Sequence, residues 1–261
     1  MTFPLDLLVW PLAVGVLVLA THVPLGRRVL ARGIIFLDLA VAQFAVLGVV
    51  AAHALDLAAE GWPTQLAAAV AALAGAALLA ASERRWPDIQ EALIGSSFVV
   101  AASLAVLLLA HDPHGGEHLA SLMSGQVLWA TPAQAVQLAA LTVALGAILA
   151  WRGERLGRLG FYLVFALAIT ASVQLVGVYL VFASLILPAL AVRGLPPRAA
   201  LPAGWAVGAF AYAAGLFVSA AGDWPAGPAI VVALALCAFF LRLVRMHAVK
   251  GQQVAAKGRQ R

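Results

Sequence analysis

Apolar residues fill nine stretches of this chain, near 6–25, 33–53, 62–82, 92–110, 133–151, 160–177, 178–193, 201–221 and 226–246, with polar and charged residues collected in the gaps. A helix needs ~20 such residues to cross ~30 Å of hydrocarbon, so the pattern predicts about nine membrane-spanning helices. The sixth and seventh stretches adjoin without a polar gap. Only "VQLVGVY", from Val173 to Tyr179, offers a break there, and eight spans with one broken or re-entrant helix fit the same residues.

Positive charge sorts these gaps into two kinds. Arg27, Arg28 and Arg32 follow the first stretch, Arg84 and Arg85 the third, Arg152, Arg155 and Arg158 the fifth, Arg193 and Arg198 the seventh, and Arg242 onward the ninth. With nine crossings, all 16 Lys and Arg residues fall on one side, which the bias of short cytoplasmic loops makes the inside. The N-terminus is then outside and the C-terminus cytoplasmic. The opening "MTFPLDLLVWPLAVGVLVLATHVPLG" has no basic front and no small-residue cleavage site, so it is expected to stay as the first span.

Composition agrees: 64% of the 261 residues are hydrophobic and 10% charged, and the mean hydropathy is +1.01. This excludes an ordinary soluble domain, and the net charge of +5 reports topology rather than nucleic-acid binding. The expected architecture is an all-α polytopic membrane protein, with one transmembrane domain over 1–247 and a basic cytoplasmic tail over 248–261, frayed near anionic headgroups. The single Cys237 permits no intrachain disulfide.

No phosphate loop, serine elbow or helical histidine pair with glutamate occurs, which points away from an enzyme. Polarity inside apolar stretches is the stronger signal. Asp38, in "RGIIFLDLAVAQFAVLG", is expected about 7–8 Å inside the second span counting from Gly33. A carboxylate at that depth marks a functional path or a partnered charge. Gln43 lies about 140° further around the helix and lines another side of a broad path. His22 on the descending first span would match Asp38 in depth if the two helices touch; otherwise a backbone carbonyl satisfies the ring. Gln137, Thr142, Thr170, Ser172, Gln174 and Ser184 add neutral polar groups of the kind that also glue membrane helices. In "VQLVGVYLVFASLILPALAVR", Gly177 permits a break, Pro188 removes a backbone donor and Arg193 closes the segment at the surface.

The segment "HDPHGGEHLASLMSGQ" gathers His111, Asp112, His114, Glu117 and His118 in eight residues, all donors that zinc or manganese accepts. Pro113 and the Gly115-Gly116 pair predict a turn, so the three histidines share no helical face. The reading is a polar external connection that guides a cation weakly without closing a site.

The segments "DLAVAQFAVLG", "EALIGSSFVV", "EHLASLMSGQVLWATPAQ", "VQLVGVYLVFASLILPALAVR" and "DWPAGPAIVV" resemble, in that order, the zinc- and manganese-type ABC importer permeases. The likeness spans nearly the whole chain. It implies a cobalamin-importer-like fold of eight or nine helices and a homodimer or pseudo-symmetric dimer. Two cytoplasmic ATPase subunits would use the ATP, and an extracytoplasmic metal-binding protein would deliver the ion. The setting is the bacterial cytoplasmic (inner) membrane. No cofactor is expected on the chain itself, the metal ion being cargo. The resemblance places Asp38 beside the translocation path; His22, Gln43 and Gln174 are further candidates on their polarity within apolar stretches alone. It makes Glu154, Arg155, Leu156, Gly157, Arg158, Leu159 and Gly160 a shortened coupling helix for the ATPase, with Glu91 in the same group. Pro188 and Arg193 match the end of the "PALAVR" element. Where the family usually has histidine one turn after the acid, this chain has Ala42. The alternatives are a permease for a siderophore or cobalamin, and an ion-coupled secondary carrier. The carrier would need several membrane acids, and only Asp38 lies deep.

Overall fold

The computed structural model describes residues 6–55, 61–110, 112, 114–152 and 155–258, without the side chains of 6, 7, 118, 197 and 246–258. His111, Glu154 and residues 259–261 of the tail lie outside the described residues. Nine α-helices form among those described: α1 (Asp6–Arg32), α2 (Leu37–Ala54), α3 (Trp62–Arg85), α4 (Gln90–Leu108), α5 (Gly115–Ser124), α6 (Pro132–Arg152), α7 (Arg158–Ala191), α8 (Pro197–Gly222) and α9 (Ala226–Gly258). All but the ten-residue α5 are long and apolar enough to cross a membrane, which gives eight candidate spans.

Local chemistry sets the helix ends. Gly61, at φ 92°, turns the chain into Trp62-Pro63 at the start of α3, and Arg84 and Arg85 occupy its last turn beside the negative end of the helix dipole. At the start of α6, Gln134 Oε1 accepts from Thr131 N at 2.9 Å while Gln134 N donates to Thr131 Oγ1 at 3.3 Å, a reciprocal cap. α8 enters at Pro196-Pro197 and leaves through Asp223 in the left-handed region.

A straight helix of α7's 34 residues would measure about 51 Å, far more than the hydrocarbon layer. Instead the chain turns back at Gly177 (φ 80°, ψ 163°). At the start of α7, the Arg32 guanidinium stacks over Phe161, 3.9 Å from the ring centre, and Arg158 Nε lies 3.1 Å from Glu83 Oε2. At its finish, Gly26 packs against Leu185 and Ala189, and Arg245 donates to the carbonyls of Ala191 and Arg193. Gly26 and Arg32 belong to one end of α1, so both ends of α7 return there. The break expected within Val173–Tyr179 thus falls at Gly177 and makes α7 two arms, 158–176 and 178–191.

These arms form the centre of the bundle and pack against α1, α2, α3, α5, α8 and α9, with Tyr162, Phe165, Ile169, Leu180 and Leu185 fully buried. α2 and α3 come close because Gly48 meets Ala67 and Ala71, and Gly75 lies under the Phe44 ring, the small-residue packing that membrane helices use. The arginines gather at one end: Arg27 and Arg193 share a hollow, and Arg242 joins Arg245 on the Arg193 carbonyl. This basic end contrasts with an arginine-free end where α5 meets Gly177, whose described ionisable groups include Asp112, Glu117 and Asp223.

Three expectations change in detail. α2 starts at Leu37 after a turn over 33–36, so Asp38 occupies its first turn rather than a position about 7–8 Å along a helix from Gly33. The predicted turn at Gly115-Gly116 is the first turn of α5, because Leu119, Leu122 and Met123 supply an apolar stripe that packs on the core. α9 continues to Gly258, so the tail expected to fray is helical over 248–258; its alanines, glutamines and lysines are good helix formers.

Candidate functional site

Asp38 and Glu91 stand in the first turns of α2 and α4, two helices packed against each other that both begin at the basic end. Asp38 is 1% exposed; its carboxylate faces the backbone N–H groups of Asp38 and Leu39 at the start of α2, and no side-chain donor meets it among the described residues. Glu91 is within electrostatic reach of it and accepts from Phe36 N at 3.2 Å through Oε1, leaving Oε2 buried without a partner. The two acids thus lie in one buried region, where no side chain among the described residues pairs with Asp38 Oδ1, Asp38 Oδ2 or Glu91 Oε2. The positive ends of two helix dipoles face this pair and make such charge tolerable there. The resemblance grouped Glu91 with the coupling stretch; the structure sets it beside Asp38. A signal was present in sequence, since each acid opens an apolar run directly after a basic gap.

Polar links tie this pair to α7. Gln90 Nε2 donates to the Leu79 carbonyl at 2.9 Å and to Tyr162 Oη at 3.1 Å, and Ser82 donates to Gln90 Oε1 at 2.9 Å. The adjacent Glu83–Arg158 ion pair joins α3 to the first turn of α7. Of the proposed coupling stretch, Arg155 and Leu156 form a turn closed on the Arg152 carbonyl, Gly157 caps α7, and Arg158, Leu159 and Gly160 begin it. The described part makes no helix of its own, because few residues separate α6 from α7 and Gly157 ends the turn.

His22 is fully buried, and its Nδ1 pairs with the Val18 carbonyl at 2.9 Å. α7 packs against both α1 and α2, which make no extended contact with one another, and no bond joins His22 to Asp38. The Val18 carbonyl thus satisfies one ring nitrogen, while the buried Nε2 has no hydrogen-bond partner among the described residues. Gln43, 3% exposed, is buried in α2.

Gln174 lies elsewhere, one turn before Gly177 at the arginine-free end. It lines a cavity of about 370 Å³ with Gln65, Gln134 and Gln137, and an adjoining one of about 470 Å³ with Gln126, Gln134 and Ser121. The glutamines of this chamber are spread over more than a hundred positions, and only Gln137 and Gln174 stood out in sequence. Nearby, Gly125 and Gly177 (φ 71° and 80°) meet backbone to backbone, and Gln126 N donates to the Leu175 carbonyl at 3.3 Å. A Cβ on either glycine would overlap the other strand of chain.

In the histidine-rich segment, Asp112 Oδ1 accepts from His114 N at 2.9 Å, and Asp112 Oδ2 is 3.9 Å from His53 Nε2. Among the described residues, no three His, Cys, Asp or Glu side chains are grouped to hold a metal. His111 and the His118 side chain lie outside what is described.

A bundle of eight candidate spans around a reversing helix, with buried carboxylates at one end and an amide-lined chamber at the other, is the design of a multi-pass transport protein. Comparison sharpens this. Residues 5–157 and 154–245 match the ABC 3 transport family, and the chain belongs to that family. It is accordingly the permease of a metal ABC transporter, a non-catalytic membrane subunit that works with an ATPase and a binding protein. Among solved structures, PsaBC from Streptococcus pneumoniae in complex with Fab shares the fold, with a TM-score of 0.70 at 19% identity over 92% of this chain and 91% of that one. A search of curated proteins found no match.

Proposed function

We propose that this chain moves a divalent transition metal, zinc or manganese, into the cytoplasm. Its N-terminus faces outside, its C-terminus inside, and two identical copies enclose the path in the bacterial cytoplasmic membrane. The observation that carries this reading is the buried acid pair where the apolar stretch begins: no side chain among the described residues pairs with either oxygen of Asp38 or with Glu91 Oε2. Buried carboxylates without a counter-charge are expensive, and a passing cation supplies it. Oxygen donors with Ala42 in place of an imidazole suit a hard ion, which favours manganese over zinc. The PsaBC likeness supports the fold on which this rests. The binding protein delivers at the arginine-free end, and two ATPase subunits act at the basic end, where the Glu83–Arg158 pair ties the start of α7 to α3.

The test is ATP-driven manganese uptake by proteoliposomes holding the permease, its ATPase and the loaded binding protein. Asp38→Asn should lower uptake by at least about 10- to 100-fold, the penalty typical of disturbing a metal site, while complex assembly is retained. Wild-type uptake by Asp38→Asn would overturn the assignment.

A further inference from the structure

Five of the chain's ten glutamines, Gln65, Gln126, Gln134, Gln137 and Gln174, line the two adjoining cavities at the arginine-free end, and no charged side chain among the described residues joins them. We propose that this chamber holds a divalent cation as its intact aqua ion, before the ion is stripped at the carboxylates. The inference rests on the cation-permease reading above and adds where the ion keeps its water. Water bound to a divalent cation turns its lone pair to the metal and its hydrogens outward, so the aqua ion is recognised by hydrogen-bond acceptors. A glutamine carbonyl oxygen is such an acceptor, yet a neutral and weak replacement for inner-shell water. A carboxylate here would enter the inner shell and retain the ion, whereas lysine or arginine would repel it.

The amides are available for this work. Gln65, Gln137 and Gln174 make no side-chain hydrogen bond to the described residues. Gln126 donates from Nε2 to Ser121 Oγ at 3.0 Å, which leaves its carbonyl oxygen open. Gln134 differs, because its Oε1 is already taken by the Thr131 cap and only its NH2 faces the chamber. Six waters at about 30 Å³ each occupy about 180 Å³. The first cavity, at about 370 Å³, has room for that volume. Along α7, Gln174 stands thirteen residues beyond Phe161, the ring under Arg32, so about 20 Å separates the chamber from the basic end where the carboxylates lie.

Hexaamminecobalt(III) probes this directly, because its six ammonia ligands do not exchange and they present N–H groups outward as an aqua ion presents O–H. The purified full-length permease is titrated with it calorimetrically, and its inhibition of manganese uptake is measured in the proteoliposomes. The wild type and Asp38→Asn should bind the complex alike, and it should inhibit wild-type uptake. Gln137→Met combined with Gln174→Met should bind it about tenfold more weakly, as loss of two acceptors predicts. The paired Gln→Asn variant, which keeps the amides, should retain binding and so control for folding. Equal binding by the methionine variant, or binding lost in Asp38→Asn, would overturn the proposal. Absence of ATP-driven manganese uptake by the wild type would sink the permease reading itself, and that result is read from the transport assay alone.

Discussion

Asp38 was legible because one carboxylate in a long apolar run violates the cost of burying charge, whatever the fold. Glu91 carried a weaker mark, because an acid that opens an apolar run after a basic gap also reads as surface; only the packing of α4 on α2 brings it to Asp38. Because Glu91 already spends one oxygen on Phe36 N, and an amide oxygen can accept that bond, Glu91→Gln should reduce manganese uptake less than Asp38→Asn in the same assay. The glutamine chamber was illegible for a different reason. Its members sit on α3, α6, α7 and the segment after α5, and no spacing along the chain announces that they converge. Gln90 offers a stability test: it bridges Leu79, Ser82 and Tyr162, so Gln90→Leu strands buried polar groups and should cost about 1–3 kcal/mol, read as a lower thermal unfolding midpoint in detergent.

Helices were the most legible level, since each apolar stretch became a span or an arm of one. The break in the sixth and seventh stretches was legible as a glycine in a long apolar segment; its sharpness was not, because it depends on α5 closing over it. That short helix escaped prediction because a histidine-glycine run reads as a turn, and its apolar stripe acquires meaning only against the core. Gly177→Ala should therefore be severe. The left-handed conformation alone costs about 1–3 kcal/mol, and the added methyl collides with the backbone at Ser124–Gly125. The expected result is loss of monodisperse protein on size exclusion. Gly146→Ala meets nothing within 4 Å in mid-helix and should leave the same profile unchanged.

Across the bundle, the segregation of arginine read from the gaps reappears as one basic end, and it sets a topology that chemical labelling can check. In a Cys237→Ser background, a membrane-impermeant maleimide applied to right-side-out vesicles should label Gly116→Cys on exposed α5 and spare Arg155→Cys in the turn before α7. The opposite pattern would invert the assigned sides. The reversal of α7 has a mechanical corollary. Its first arm, 158–176, is a rod of about 27 Å hinged on one glycine and gripped at its free tip by Arg32 and Glu83. A swing of about 10° about that hinge would carry the tip about 5 Å, on the order of a helical turn. Since Tyr162 near the tip is bonded to Gln90, and Gln90 adjoins Glu91, a push at the basic surface arrives at the carboxylate pair as leverage, with no span needing to slide through the bilayer.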